Sequence, residues 1–157
     1  MGKSIAAAVV GVMVAASCDM SVAYHHYEPV PITGWSRGDT MVFSFMPTSD
    51  NDTYDRMLCV RINDSYPFTN ISLVVESMIY KEGILSAPHN DTLQCRFFDK
   101  EGALRGKGVD HYTYEYPLPP ITLPAGDSLV MAVRHNMRRE TLPGVTDVGI
   151  KMSDCAQ

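Results

Sequence analysis

A chain of 157 residues is long enough to bury a sizeable core, and its formal charge of −5 comes without any basic stripe. That balance excludes nucleic acid as a partner and excludes charge-driven docking on anionic lipid. Hydrophobic residues make up 45% of the chain and eight are tyrosines, a composition suited to a packed β-rich fold.

The chain opens with Lys3, an uncharged apolar run from Ile5 to Ala16, and Ala15-Ala16-Ser17-Cys18. A positive start, a short apolar segment and small residues before a cut site describe a secretory leader. The run is shorter than the ~20 apolar residues a membrane-spanning helix needs. The cysteine directly after the small residues resembles a bacterial lipobox, in which the leader is cut before a thiol that carries lipid. The expected organisation is therefore a signal peptide over 1–17, an acylated Cys18 with a tether over 18–23, and a folded domain over 24–157. Two or three acyl chains on Cys18 would anchor the protein firmly, at ~0.8 kcal/mol per buried methylene, where one would not. No other cofactor is expected.

Past the tether, Tyr24–Val30 reads as a first strand, stopped by Pro29 and Pro31, and Gly34-Trp35-Ser36-Arg37-Gly38-Asp39 reads as a turn. Met41, Phe43 and Phe45 then alternate with polar or smaller residues. Tyr54–Ile62 is the next strand, with Leu58, Val60 and Ile62 on one face and Met57, Cys59 and Arg61 on the other. After a loop over 63–70, Ile71, Leu73, Val75 and Ile79 mark one side of a long strand. Asp91–Asp99 follows, with Leu93, Cys95 and Phe97 inward. Lys100-Glu101-Gly102 and Gly106-Lys107-Gly108 flank a loop before a strand over 109–116. Pro117, Pro119, Pro120 and Pro124 suggest a stiff connector. Ser128–Val133 is a strand, Met137–Leu142 could form one helical turn, and Val145–Met152 closes the chain with Val148, Ile150 and Met152 inward.

Eight or nine short strands separated by Pro, Gly, Asn and Asp turns predict an all-β fold, one antiparallel sandwich of jelly-roll kind, with a closed barrel as the alternative. With Cys18 lipidated, Cys59, Cys95 and Cys155 remain. Their spacing matches no zinc motif, and they read as small buried or half-buried thiols or as one disulfide and a free thiol.

With these segments in place, the chain resembles the GldH family of gliding-motility lipoproteins of Bacteroidota. The resemblance runs through Trp35 with Asp39, Phe43 and Phe45, then Arg61-Ile62-Asn63 and Tyr66-Pro67-Phe68-Thr69-Asn70. It continues through Asp99, Gly102, Gly106 and Gly108 to Met137-Arg138, Leu142-Pro143-Gly144-Val145 and Asp147-Val148-Gly149. It implies an envelope lipoprotein of the machinery that moves cells over surfaces, or of linked secretion or envelope assembly. The implied protein is non-enzymatic and has envelope protein partners. Asp19 directly after Cys18 would favour inner-membrane retention under enterobacterial sorting, a habit that need not hold here, and the outer membrane is the expected location. The family brings no catalytic residue, and only Cys18 maps onto known chemistry.

Few constellations remain to carry other chemistry. His25 and His26 point to opposite faces of a strand, so only His26 and Glu28 share a side, and no metal site is expected. Tyr112, Tyr114 and Tyr116 form a ladder on one strand face. It could stack on sugar rings or form part of a protein interface, or it could pack beneath a neighbouring strand. The first option supports an alternative function, a surface lipoprotein with a carbohydrate-binding sandwich.

Overall fold

The computed structural model describes residues 21–48, 52–86, 88–103 and 105–155, so Cys18 and the leader lie outside the described residues. Eleven strands follow in order: β1 Val22–Pro29, β2 Trp35–Ser36, β3 Met41–Phe45, β4 Thr53–Asn63, β5 Asn70–Lys81, β6 Ile84–Leu85, β7 His89–Arg96, β8 His111–Thr122, β9 Ser128–His135, β10 Thr141–Leu142 and β11 Val145–Asp154. Among the described residues there is no helix.

One sheet runs β1-β11-β4-β8. The other runs β3-β9-β5, with β7 and the short β6 on the free side of β5. The first and last strands are therefore neighbours, and successive long strands alternate between sheets except for the β5–β7 hairpin. That winding is a jelly roll, two interlocked Greek keys facing each other. The all-β sandwich expected from the alternating pattern is what forms.

The alternation that specified each strand also decides which face is buried. Leu58 and Val60 of β4, Leu73 and Val75 of β5, Leu129, Met131 and Val133 of β9, and Val148, Ile150 and Met152 of β11 are all fully buried between the sheets. At one side the sandwich is closed by aromatic edges, Tyr24 against Phe45 at 5.7 Å and His26 against Phe43 at 6.3 Å. Ring pairs at such centroid distances favour the tilted geometry seen here, because edge and face carry opposite partial charge.

Two expectations need correction. The proline stretch is no connector: β8 continues through Pro117, Pro119 and Pro120 to Thr122. It can do so because β8 is an edge strand, where a residue without an N–H leaves no neighbour unbonded. One extra residue is absorbed opposite β4, where Tyr54 faces Ile121 but Arg56 faces Leu118. Met137–Leu142 forms no helical turn either. Thr141 and Leu142 pair with Ser36 and Trp35 in a two-stranded ladder, and the preceding backbone is held by a side chain 100 residues away, Arg37, as described below.

The cysteines separate as the strand faces dictate. Cys95 lies in the core, whereas Cys59 lies on the outer face of the first sheet beneath Tyr27, and both are fully buried free thiols. Burial raises the Cys59 thiol to about 11 and the Cys95 thiol to about 12. Facing different ways from different sheets, they cannot reach each other.

One polar group crosses the core. Arg56 sits on the inward face of β4 and is 3% exposed. It donates from Nε to the Pro119 carbonyl at 2.8 Å, which the bulge in β8 presents, and from Nη1 to Ser77 Oγ of β5 at 2.8 Å. Its Nη2 stands 3.5 Å from Asp91 Oδ2 on β7, while Asp91 Oδ1 faces His89 Nε2 at 3.1 Å. One guanidinium thus ties its own strand to three others across the two sheets. Desolvation lowers its affinity for the proton, and Asp91 offsets part of that.

Candidate functional site

Four connections gather at one end of the sandwich: 30–40, 63–70, 97–110 in its described residues 97–103 and 105–110, and 136–144. They lie together because β4 ends at Asn63 opposite His111, β11 begins at Val145 opposite Ile62, and β5 begins at Asn70 opposite Arg96. Ser21 and Val22 lie at the other end, where the Asp154 amide donates to the Ser21 carbonyl at 3.0 Å. β4 alone, with 11 residues, sets the ends roughly 33 Å apart at ~3.3 Å per residue.

The centre of the loop end is Trp35, fully buried. Its Nε1 donates to the Asp39 carbonyl at 3.0 Å, closing the turn that the sequence indicated. Arg37 in the same turn donates to the carbonyls of Met137 and Arg138, and its amide donates to the Glu140 carbonyl at 2.8 Å. Those bonds hold 136–140 in a bend with no helical turn, where helical spacing alone would have allowed one.

The 63–70 connection is built the same way. Asn63 Oδ1 accepts from the Ser65 amide at 3.0 Å, and the Tyr66 hydroxyl donates to the Asn70 carbonyl at 2.8 Å. Gly144 lies against it with φ +79°, and a Cβ there would stand 2.2 Å from the Tyr66 amide nitrogen. In the third connection, Asp99 Oδ1 accepts from the amides of Glu101 and Ala103 at 3.0 and 2.8 Å. Gly102 turns the chain with φ +81°.

His135 sits beneath this end, 2% exposed and tilted 74° against Trp35 at 5.3 Å. Burial lowers its pKa below 6.5, more than the Trp35 backbone raises it. The unfolded chain therefore binds a proton here before the folded one does, and stability falls as pH drops through about 6.5 toward the folded pKa. The urea midpoint of the protein should drop between about pH 7.5 and 5, and the drop should be smaller in His135→Gln. Equal drops in both proteins would remove His135 as the cause.

The tyrosine ladder meets this end from β8, and its members are not equivalent. Tyr114 is 5% exposed and packs on Phe97 at 4.7 Å. Tyr116 stacks nearly parallel to it at 6.4 Å and donates to the Arg96 carbonyl at 2.7 Å. Tyr112 is half-buried against the core. Gly106 lies on the ladder, with Tyr114 Cζ 2.6 Å and Tyr112 Cβ 2.8 Å from where a Cβ would be. The ladder is thus core on one side and cleft wall on the other. That cleft, about 400 Å³, is lined by Arg96, Arg105, Lys107, Thr113, Tyr114, Glu115 and Tyr116.

Alternation along β7 and β8 indicated the tyrosines, but nothing in their own spacing brought Arg96, Arg105 and Lys107 to them. The signal available in sequence was weaker: four cations between positions 96 and 107 of an acidic chain. The pair His26 and Glu28 does meet at 2.9 Å on the surface. Among the described residues no three His, Cys, Asp or Glu side chains are placed to hold a metal ion.

The loop end contains most of the segments by which the chain was compared above. A family model described as GldH lipoprotein matches residues 22–152. The chain belongs to the GldH lipoprotein family. Its similarity extends to the gliding motility lipoprotein GldH of Flavobacterium johnsoniae, 22% identical over 143 residues and covering 87% of each chain. Among solved structures, a CocE/NonD family hydrolase from Staphylococcus aureus aligns with 87% of this chain at 11% identity and a TM-score of 0.46. This GldH-family chain spans 34% of that hydrolase. The CBM36-1 domain of a multidomain xylanase from the hindgut metagenome of Trinervitermes trinervoides aligns at 12% identity and a TM-score of 0.38, over 88% of this chain and 94% of that domain.

Proposed function

We propose that this GldH-family chain is a lipid-anchored envelope protein that works by holding partner proteins, as a non-enzymatic component of gliding motility or of a linked secretion or envelope assembly. The leader over 1–17 is removed, Cys18 carries the lipid, and the tether over 18–23 leads into the sandwich. The observation that carries the reading is the family match over residues 22–152.

Cys18 stands four residues before β1, so its lipid lies within roughly 14 Å of Val22 at ~3.5 Å per residue. An anchor there holds the opposite end of the sandwich away from the bilayer, presented to neighbouring proteins. The polar side chains of that end support a holding role: Arg37, Tyr66 and Tyr116 all donate to backbone carbonyls, which stiffens the connections. The location proposed for it is the outer membrane.

Deletion of the gene should impair surface spreading or cargo export, and the wild-type gene should restore it. Cys18→Ala should not, and should release the protein from membranes. Mass spectrometry of the mature protein should find acylated Cys18 at the N-terminus, and crosslinking in intact cells should recover envelope proteins. A deletion strain normal in both spreading and export would sink the assembly role, and an unmodified N-terminus at another residue would sink the anchor.

A further inference from the structure

Arg96, Arg105 and Lys107 converge on one cleft of a protein whose overall charge is −5. None of the three belongs to an ion pair among the described residues, where the six pairs found use other side chains. Arg105 and Tyr116 line the same cleft. Three cations without an ion pair, gathered around ring surface with a single carboxylate, Glu115, among them, leave an excess of positive charge that an anion would offset.

The rest of the lining narrows the chemistry. Thr113 supplies a hydroxyl. Glu115 supplies a carboxylate, drawn to one side by Lys151 at 3.3 Å. Among the described residues, none of the side chains lining the cleft is aliphatic. An acyl chain or an apolar peptide anchor would have to desolvate the guanidinium and ammonium groups around it without pairing them. A dense polyanion such as a phosphate cluster would be repelled by Glu115. A ring with a carboxylate, several hydroxyls and an apolar C–H face matches each wall: guanidinium for carboxylate, Thr113 and Glu115 for hydroxyls, tyrosine for the C–H face.

We propose that the cleft bounded by Arg96, Arg105, Lys107 and Tyr116 is a binding site for a uronic acid residue of an acidic polysaccharide. Gly106 is part of the device. Its backbone lies directly on Tyr114 and Tyr112, and any larger residue would lift the 105–107 strap and spread the cations. The strap is fixed at its far end by the reciprocal bonds between Lys107 and Thr113, at 3.0 and 3.1 Å. The site stands whether or not the chain serves motility, and its failure would leave that role untouched.

The test is calorimetric titration of the full acylated protein in detergent with trigalacturonate, alongside a neutral trisaccharide, inorganic phosphate and hexaglutamate as separate probes. Trigalacturonate should bind saturably and weaken as salt rises to about 0.5 M. Arg105→Ala and Lys107→Ala should each lower its affinity about tenfold, the loss expected of one charge-assisted contact. Both side chains are on a surface strap, so their variants should keep the wild-type melting temperature. Tyr116→Ala should weaken binding, and Tyr116→Phe should keep most of it. Equal binding of the neutral sugar overturns the proposal, as does undiminished binding by Arg105→Ala. Phosphate or hexaglutamate binding as tightly as trigalacturonate would show a general anion or acidic-peptide site and overturn it too.

Discussion

Arg56→Ala should lower the free energy of unfolding by about 3–5 kcal/mol, the cost of leaving a buried partner charge uncompensated. For a folded body of this size that is a fall in melting temperature of roughly 10–15 °C. The loss has three parts: Asp91, whose side chain is 14% exposed, loses its cation, and the Pro119 carbonyl and Ser77 hydroxyl each lose a donor. Among the described residues, Asp91 would retain its contact with His89. Because it is the orphaned carboxylate that costs most, removing both charges should cost less than removing one. Arg56→Met combined with Asp91→Leu is therefore expected to unfold at higher urea than Arg56→Ala alone. Equilibrium urea unfolding of the single and double variants makes the comparison. An Arg56→Ala protein within about 1 kcal/mol of wild type would show that the sheets are joined by apolar packing alone.

Gly144→Ala is expected to cost about 3 kcal/mol, from two separable sources. The left-handed backbone costs a side chain roughly 1–2 kcal/mol, and Gly144 has φ +79°. The new Cβ would also stand 2.2 Å from the Tyr66 amide nitrogen and 2.6 Å from its Cα, and backbone cannot swing aside as a side chain can. Overpacking of that kind adds about 1–3 kcal/mol. Gly126 supplies the control. It has φ +97° with nothing near its Cβ position, so Gly126→Ala should show the backbone cost alone. Thermal melts of the two variants should differ by the clash. Equal melting temperatures would mean that the β10–β11 corner yields without loss.

Both variants bear on what the amino-acid order reveals. Arg56 lies in register with Leu58, Val60 and Ile62, and alternation alone would have placed it inward. A charged residue at an inward position signals a buried partner, but its partner stands 35 residues later on the other sheet, beyond any local pattern. Gly144 was legible as a turn residue, since Pro143-Gly144 ends one segment before Val145 begins another. What was not legible was the backbone of Tyr66 pressing on it.

The two misread segments share a cause. Prolines over 117–120 imply a break only if the strand must donate on both sides, and sheet edge or centre is a property of the whole topology. The spacing over 137–142 permits a helical turn in isolation. Arg37 and the ladder to Trp35 and Ser36 override it, because backbone carbonyls take the best donors within reach.

Period-two alternation and turn chemistry were sufficient for the strands, their buried faces and the sandwich class, because both depend on interactions within a few residues. The segments that carry the resemblance to the GldH family were likewise readable in order along the chain. Their assembly at one end, the split of the tyrosine ladder into core and cleft, and the meeting of Arg96, Arg105 and Lys107 beside it arose only from the winding of eight long strands. Contacts across two sheets depend on the closed path of the chain, which no local spacing encodes.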